Sequence, residues 1–77
     1  MKNKMHYQRQ WLPLVGQEVA IRFDTKTVRT GIVDAATADD QILWITAQGS
    51  EPRRMFQRTD GFSVWIAYKW DTSQPPS

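Results

Sequence analysis

The run Arg53-Arg54-Met55-Phe56-Gln57-Arg58 holds the densest potential chemistry of the chain, three guanidinium groups around one aromatic ring. Guanidiniums reach phosphate oxygens and an aromatic face stacks on a base, so the combination suits single-stranded nucleic acid. On a strand the side chains divide, with Arg54, Phe56 and Arg58 on one face and Arg53, Met55 and Gln57 on the other. If the Met55 face is core, two arginines flank an exposed ring. If the Phe56 face is core, Arg54 and Arg58 snorkel or lie at the rim of the domain and the motif loses most of its meaning. Lys2, Lys4 and Arg9 extend the candidate as a basic arm. The nucleic-acid set read from the sequence is therefore Arg53, Arg54, Phe56, Arg58, Lys2, Lys4 and Arg9.

The second chemical candidate is Asp34-Ala-Ala-Thr-Ala-Asp-Asp40, with three carboxylates in seven residues. Paired carboxylates serve as general acid and base, or hold a hard cation. A calcium loop needs ligands at alternate positions, a central glycine and a distal glutamate, whereas alanines occupy the alternate positions here. The segment reads as a solvated connection between strands, with Asp39 and Asp40 supplying turn chemistry.

Other chemistries find no support in the residue types. There is no cysteine, and His6 is the only histidine. Thiolate or His-rich metal sites, Ser-His-Asp triads and Cys-His pairs are not expected. The sequence thus points away from an enzyme and implies no cofactor and no metal. Trp44 and Trp65 are the candidates for a protein interface, because large aromatics outside a core often mark one.

These residues need elements to position them, and 77 residues allow one domain. A domain of this size buries only roughly 60% of the surface its unfolded chain exposes, so a few large side chains must hold it. Four tryptophans, Trp11, Trp44, Trp65 and Trp70, are available, and three of them in one core would go far. Residues 1–10 are basic and partly flexible by composition, 71–77 read as a disordered tail, and 11–70 form the domain. Tyr7, Trp11 and Leu14 lie at helical spacings, so a turn or two of helix is expected at about 4–11, ending before Pro13 and lying over one end of a sheet.

From Gln17 the period becomes two. Val19, Ile21 and Phe23 alternate with Glu18, Ala20 and Arg22, as in a strand with one face in the core. Asp24 to Thr27 makes a hairpin turn into Val28–Val33, where Gly31 marks a bulge or sharp bend. Further strands are expected at Ile42–Thr46, Arg53–Gln57 and Phe62–Tyr68, with Thr59-Asp60-Gly61 as a tight link before the last. In that last strand Phe62, Val64, Ile66 and Tyr68 point inward, leaving Trp65 outside. A flat sheet would leave one face bare. A small, strongly bent, five-stranded antiparallel barrel lets Val19, Ile21, Phe23, Ile32, Leu43, Ile45, Val64 and Ile66 share one interior. The alternative is a twisted antiparallel sheet covered on its second face by the N-terminal segment or by another copy of the chain.

The order of short strands, the bent strand with Gly31 and the short link before the last strand resemble the Src-homology-3-type small barrels. A short N-terminal helix followed by five strands is similar to the Sm-like variant. The resemblance spans about residues 5–68 and is one of pattern. The RNA-contacting asparagine of the first Sm motif has no counterpart, and Arg58-Thr59-Asp60-Gly61 stands where the second has its Arg-Gly pair. The acidic loop and Ala-Leu-Tyr-type motif of peptide-binding Src-homology-3 domains are also absent. Such a resemblance implies a fold that serves many functions.

The formal net charge is +2, which permits nucleic acid without demanding it. The longest apolar runs are far below the roughly 20 residues of a membrane span, and no signal-peptide pattern follows the basic N-terminus, so the expected compartment is the cytoplasm. Two functions stay open. One is a non-catalytic module binding single-stranded nucleic acid through the Arg/aromatic face. The other is a protein-interaction or self-assembly module, a homo-oligomer included, held through Trp44, Trp65 and a sheet edge.

Overall fold

A computed structural model describes residues 5–67. These form six antiparallel strands: β1 (Met5–Gln8), β2 (Glu18–Phe23), β3 (Lys26–Ala36), β4 (Ile42–Ile45), β5 (Arg54–Gln57) and β6 (Phe62–Ala67). The spatial order is β1-β6-β2-β3-β4-β5. Two single turns of 3-10 helix, Leu12–Leu14 and Arg58–Asp60, complete the described part. None of it is a helix long and apolar enough to cross a membrane.

The sheet is strongly bent without closing. β5 and β6 lie at well-separated places in the strand order, yet the Phe56 and Phe62 rings stand 4.9 Å apart, edge to face. β3 makes the bend. Its first part pairs with β2, its last residues pair with β4, and the register slips between Val33 and Ala35. Gly31 sits just before that slip, where a Cβ would stand 2.7 Å from Cγ2 of Ile45. Only glycine lets the strands approach so closely. One cluster fills the interior: Trp11, Leu14, Val19, Ile21, Val33, Leu43, Ile45, Phe56 and Val64.

Several expectations are corrected. The expected N-terminal helix at about 4–11 is instead the strand β1, paired along its length with β6. Pro13 lies inside the following 3-10 turn, where Leu14 N–H donates to the Trp11 carbonyl at 2.9 Å. Proline is tolerated at the start of a helical turn because its missing N–H is not needed there. The sheet therefore has six strands in place of five, and no ladder joins β5 back to β1 or β6 among the described residues, so it does not close into a barrel.

Within the sheet Val33, not Ile32, faces the core. Pairing Val19 with Gly31 sets Arg29, Gly31 and Val33 inward, and Ile32 outward at 40% exposure. Phe23, at the hairpin end of β2, is 45% exposed and only leans on Phe62. Trp11 alone among the three described tryptophans is fully buried, so the core rests on one Trp and not on three. Lys2, Lys4, Tyr68, Lys69, Trp70 and the 71–77 tail lie outside the described residues.

Candidate functional site

β5 alternates as its sequence requires, and the phase is the one that puts Phe56 inside. Phe56 is fully buried opposite Leu43, while Met55 is 42% exposed opposite Trp44. Phe56 therefore presents no face on which a base could stack. The three neighbouring arginines then go three ways.

Arg53 lies on the outer face of β4 and β5. Its Nε donates to Asp34 Oδ2 at 2.6 Å, and its guanidinium stands 5.5 Å from the half-buried Trp44 ring. Arg54 stays on the Phe56 side, at the edge of the core. Its guanidinium covers Phe56 at 4.6 Å and Phe62 at 5.9 Å, exposed and with no ion pair among the described residues.

Arg58 turns inward and spans the open seam. Its Nε donates to the Asp40 carbonyl at 2.6 Å, Nη2 to the Arg9 carbonyl at 2.6 Å, and Nη1 to the Tyr7 hydroxyl at 3.2 Å. The same guanidinium stacks 4.3 Å from the Trp11 ring centroid. Arg9 is exposed on the far side of that brace. Arg58 is thus committed to holding the fold.

The acidic loop is a turn with a structural duty. Thr37 N–H donates to the Ile42 carbonyl at 2.9 Å, and Asp40 takes a left-handed backbone, φ 62°. The Asp40 carboxylate accepts the Trp11 N–H at 2.8 Å, tying the loop to the chain entering the core. The Thr37 hydroxyl donates to Asp39 at 2.6 Å and holds that carboxyl below the usual carboxylate range, helped by the Gln41 N–H.

The arrangement that sequence reasoning missed is on the outer face of β1, β6 and β2. Tyr7 pairs with Trp65 and Trp65 with Ala20, so these side chains share the face opposite Val64 and Ile21. The Tyr7 and Trp65 rings meet edge to face at 5.5 Å. Arg22 lies 4.8 Å over the Trp65 ring, and its guanidinium makes no hydrogen bond or ion pair among the described residues. Trp65 Nε1 donates to Ser63 Oγ at 2.9 Å, which fixes the indole. Tyr7 is 47% exposed and Trp65 half-buried. A groove of about 310 Å³ adjoins them, lined in part by Met5, Glu18, Ala20, Thr30 and Ala67. Alternation alone placed Trp65 and Arg22 outside, but nothing local in the sequence pairs β2 with β6 or supplies Tyr7 on a neighbouring strand.

A second arginine outside the expected set is also structural. Arg29 is only 8% exposed, and its Nη2 donates to the carbonyls of Thr46 and Pro52 at 3.0 and 2.9 Å, while Nη1 approaches Glu51 at 3.4 Å. Residues 5–67 hold seven basic and seven acidic side chains, so the net positive charge of the chain resides in the residues flanking them. Compared with known proteins, the chain matches no family model, no curated relative and no solved structure.

Proposed function

We propose that this chain is a non-catalytic binding module that engages a protein partner through the outer face of β1, β6 and β2. The observation that carries the reading is the Tyr7–Trp65 pair at 5.5 Å with Arg22 at 4.8 Å above the indole. Aromatic and arginine side chains that stand outside a core are the residue types that dominate interface energetics. The partner's chemistry follows from the face: an apolar side chain to lie on Trp65 and Tyr7, beside a carboxylate for the guanidinium of Arg22. The balanced charge of residues 5–67 favours protein over polyanion. The Src-homology-3-type reading of the fold is part of this proposal, supported by the order β6-β2-β3-β4-β5, the bend at Gly31 and the one-turn link before β6.

Affinity capture run side by side with wild-type, Trp65→Ala and Arg54→Ala proteins tests it. The partner is captured by wild type and Arg54→Ala and lost with Trp65→Ala. A capture profile identical for all three removes the proposal.

The second reading, a single-stranded nucleic-acid module, keeps one specific support: Arg54 is exposed, carries no ion pair among the described residues, and lies beside the partly exposed Phe62. Short single-stranded DNA and RNA, measured at two salt concentrations, decide it. Salt-sensitive binding lost in Arg54→Ala establishes this reading in place of the first.

A further inference from the structure

The side chains of the outer face are not all held from within it. Trp65 is fixed inside the face, by the Ser63 hydroxyl that accepts its Nε1–H at 2.9 Å and by Arg22 at 4.8 Å above its ring. Tyr7 has a different support. Among the described residues β1 pairs with β6 alone, and the Tyr7 ring rests on Trp65 from one side, at 5.5 Å. Its other hold is at the hydroxyl, which accepts from Nη1 of Arg58 at 3.2 Å. That guanidinium is itself tied down: Nε and Nη2 donate to the Asp40 and Arg9 carbonyls at 2.6 Å each, and it lies 4.3 Å from the ring of the fully buried Trp11. A continuous path of contacts therefore runs from the core, through Trp11, Arg58 and Tyr7, to the half-buried indole of Trp65.

We propose that Arg58 is a positioning residue of the partner-binding face, acting through the Tyr7 hydroxyl to hold the Tyr7 ring edge to face against Trp65. This deepens the partner-binding reading and rests on it. A side chain with several rotamers loses entropy when it is fixed, and a ring fixed before the partner arrives does not lose it again on binding. Phenylalanine would supply the same ring, so the hydroxyl and its tie to Arg58 are what tyrosine adds at this position. One guanidinium then serves two ends. The planar fork of donors that joins the Asp40 loop to the Arg9 segment across the seam also sets the shape of the outer face. The two duties can be separated experimentally, because removing the Tyr7 hydroxyl leaves the contacts of Arg58 with Asp40, Arg9 and Trp11 in place.

NMR of the full 77-residue chain, as wild type and as Tyr7→Phe, tests the positioning role. In Tyr7→Phe the nuclear Overhauser contact between ring 7 and the Trp65 indole is expected to weaken and the Trp65 Nε1–H resonance to shift, while the amide resonances of Leu43 and Ile45 in the core keep their positions. Arg58→Ala should shift the indole resonance in the same direction, and adding Tyr7→Phe to it should change little, as for two residues that act through one contact. If Arg58→Ala does not fold, Tyr7→Phe decides alone. An unchanged ring contact and indole resonance in Tyr7→Phe overturn the proposal and leave Arg58 as a brace only. Affinity capture with the same variant reads the consequence for binding: Tyr7→Phe is expected to retain less partner than wild type, and equal retention also overturns the proposal. The reading on which it rests fails differently, since a wild-type chain that captures no partner removes that reading whatever the ring contact shows.

Discussion

Arg58 lies 4.3 Å from the ring of Trp11 and hydrogen-bonds the carbonyls of Asp40 and Arg9 on either side of it. Trp11 is fully buried, and its backbone N–H is held by the Asp40 carboxylate. One side chain from the end of β5 therefore joins the loop after β3 to the segment after β1, across the gap where the sheet fails to close. A guanidinium suits this duty because its donors form a fixed planar fork.

Replacing Arg58 by alanine is expected to cost about 2–3 kcal/mol, since charged hydrogen bonds and a stacked cation are lost together. Arg58→Lys recovers little of it, because a single ammonium cannot reach three separated acceptors and stack on the indole at once. Urea denaturation of the three proteins measures this. Equal stability of Arg58→Lys and wild type would contradict the bracing geometry.

Gly31 and Ile45 make a close crossing of β3 and β4, where an added Cβ comes within 2.7 Å of Ile45 Cγ2. Gly31→Ala is expected to destabilise by about 1–3 kcal/mol through overpacking. Ile45→Leu removes the branched methyl and makes room. The double variant should then cost less than the sum of the two single ones, a coupling that a double-mutant cycle reads directly. Strict additivity would show that the crossing is looser than its geometry.

Asp39 titrates low because the Thr37 hydroxyl, and after it the Gln41 N–H, donate to its carboxylate. Its folded pKa lies below the ordinary value of 3.8. The sign follows: the unfolded state takes up the proton first, so the stabilising contribution is present above 3.8 and is lost as the pH falls through the lower folded value. Because the carboxyl is fully exposed, the effect is to be sought in an NMR titration of Asp39 itself. Thr37→Ala should return its midpoint towards 3.8, and an unchanged midpoint would remove the hydroxyl as the cause.

How far the sequence could foretell this molecule depended on whether the deciding contact was local. Val19 and Ile21 announce β2 because their alternation is complete within one strand. β1 was hidden: Tyr7, Trp11 and Leu14 fall at helical spacings, and the strand's partner β6 begins more than fifty residues later in the chain. The phase of β3 was ambiguous because Ile32 and Val33 are both apolar and β-branched, and the Gly31–Ile45 approach decides between them. The inward turn of Arg58 was invisible for another reason. Two of its three acceptors are backbone carbonyls, which every residue carries, so the sequence holds no mark of them.

That inward turn changes how the nucleic-acid reading must be tested. Removing Arg54 and Arg58 together would erase most of the basic run, but the two arginines do different things. Arg58 supports the fold, so any loss of binding in the double variant would be inseparable from loss of structure. Arg54 is exposed, makes no hydrogen bond among the described residues and only covers the rings of Phe56 and Phe62. Arg54→Ala is therefore expected to cost no more than about 1 kcal/mol, the worth of a solvent-exposed cation over a ring. Its thermal midpoint should stay close to wild type. Under that condition the Arg54→Ala protein isolates one positive charge, and a change in the salt dependence of single-stranded nucleic-acid binding by about one phosphate contact assigns that charge to the interface. An unchanged salt slope in a protein of unchanged stability would remove Arg54, and with it the last free arginine of the run, from any polyanion site.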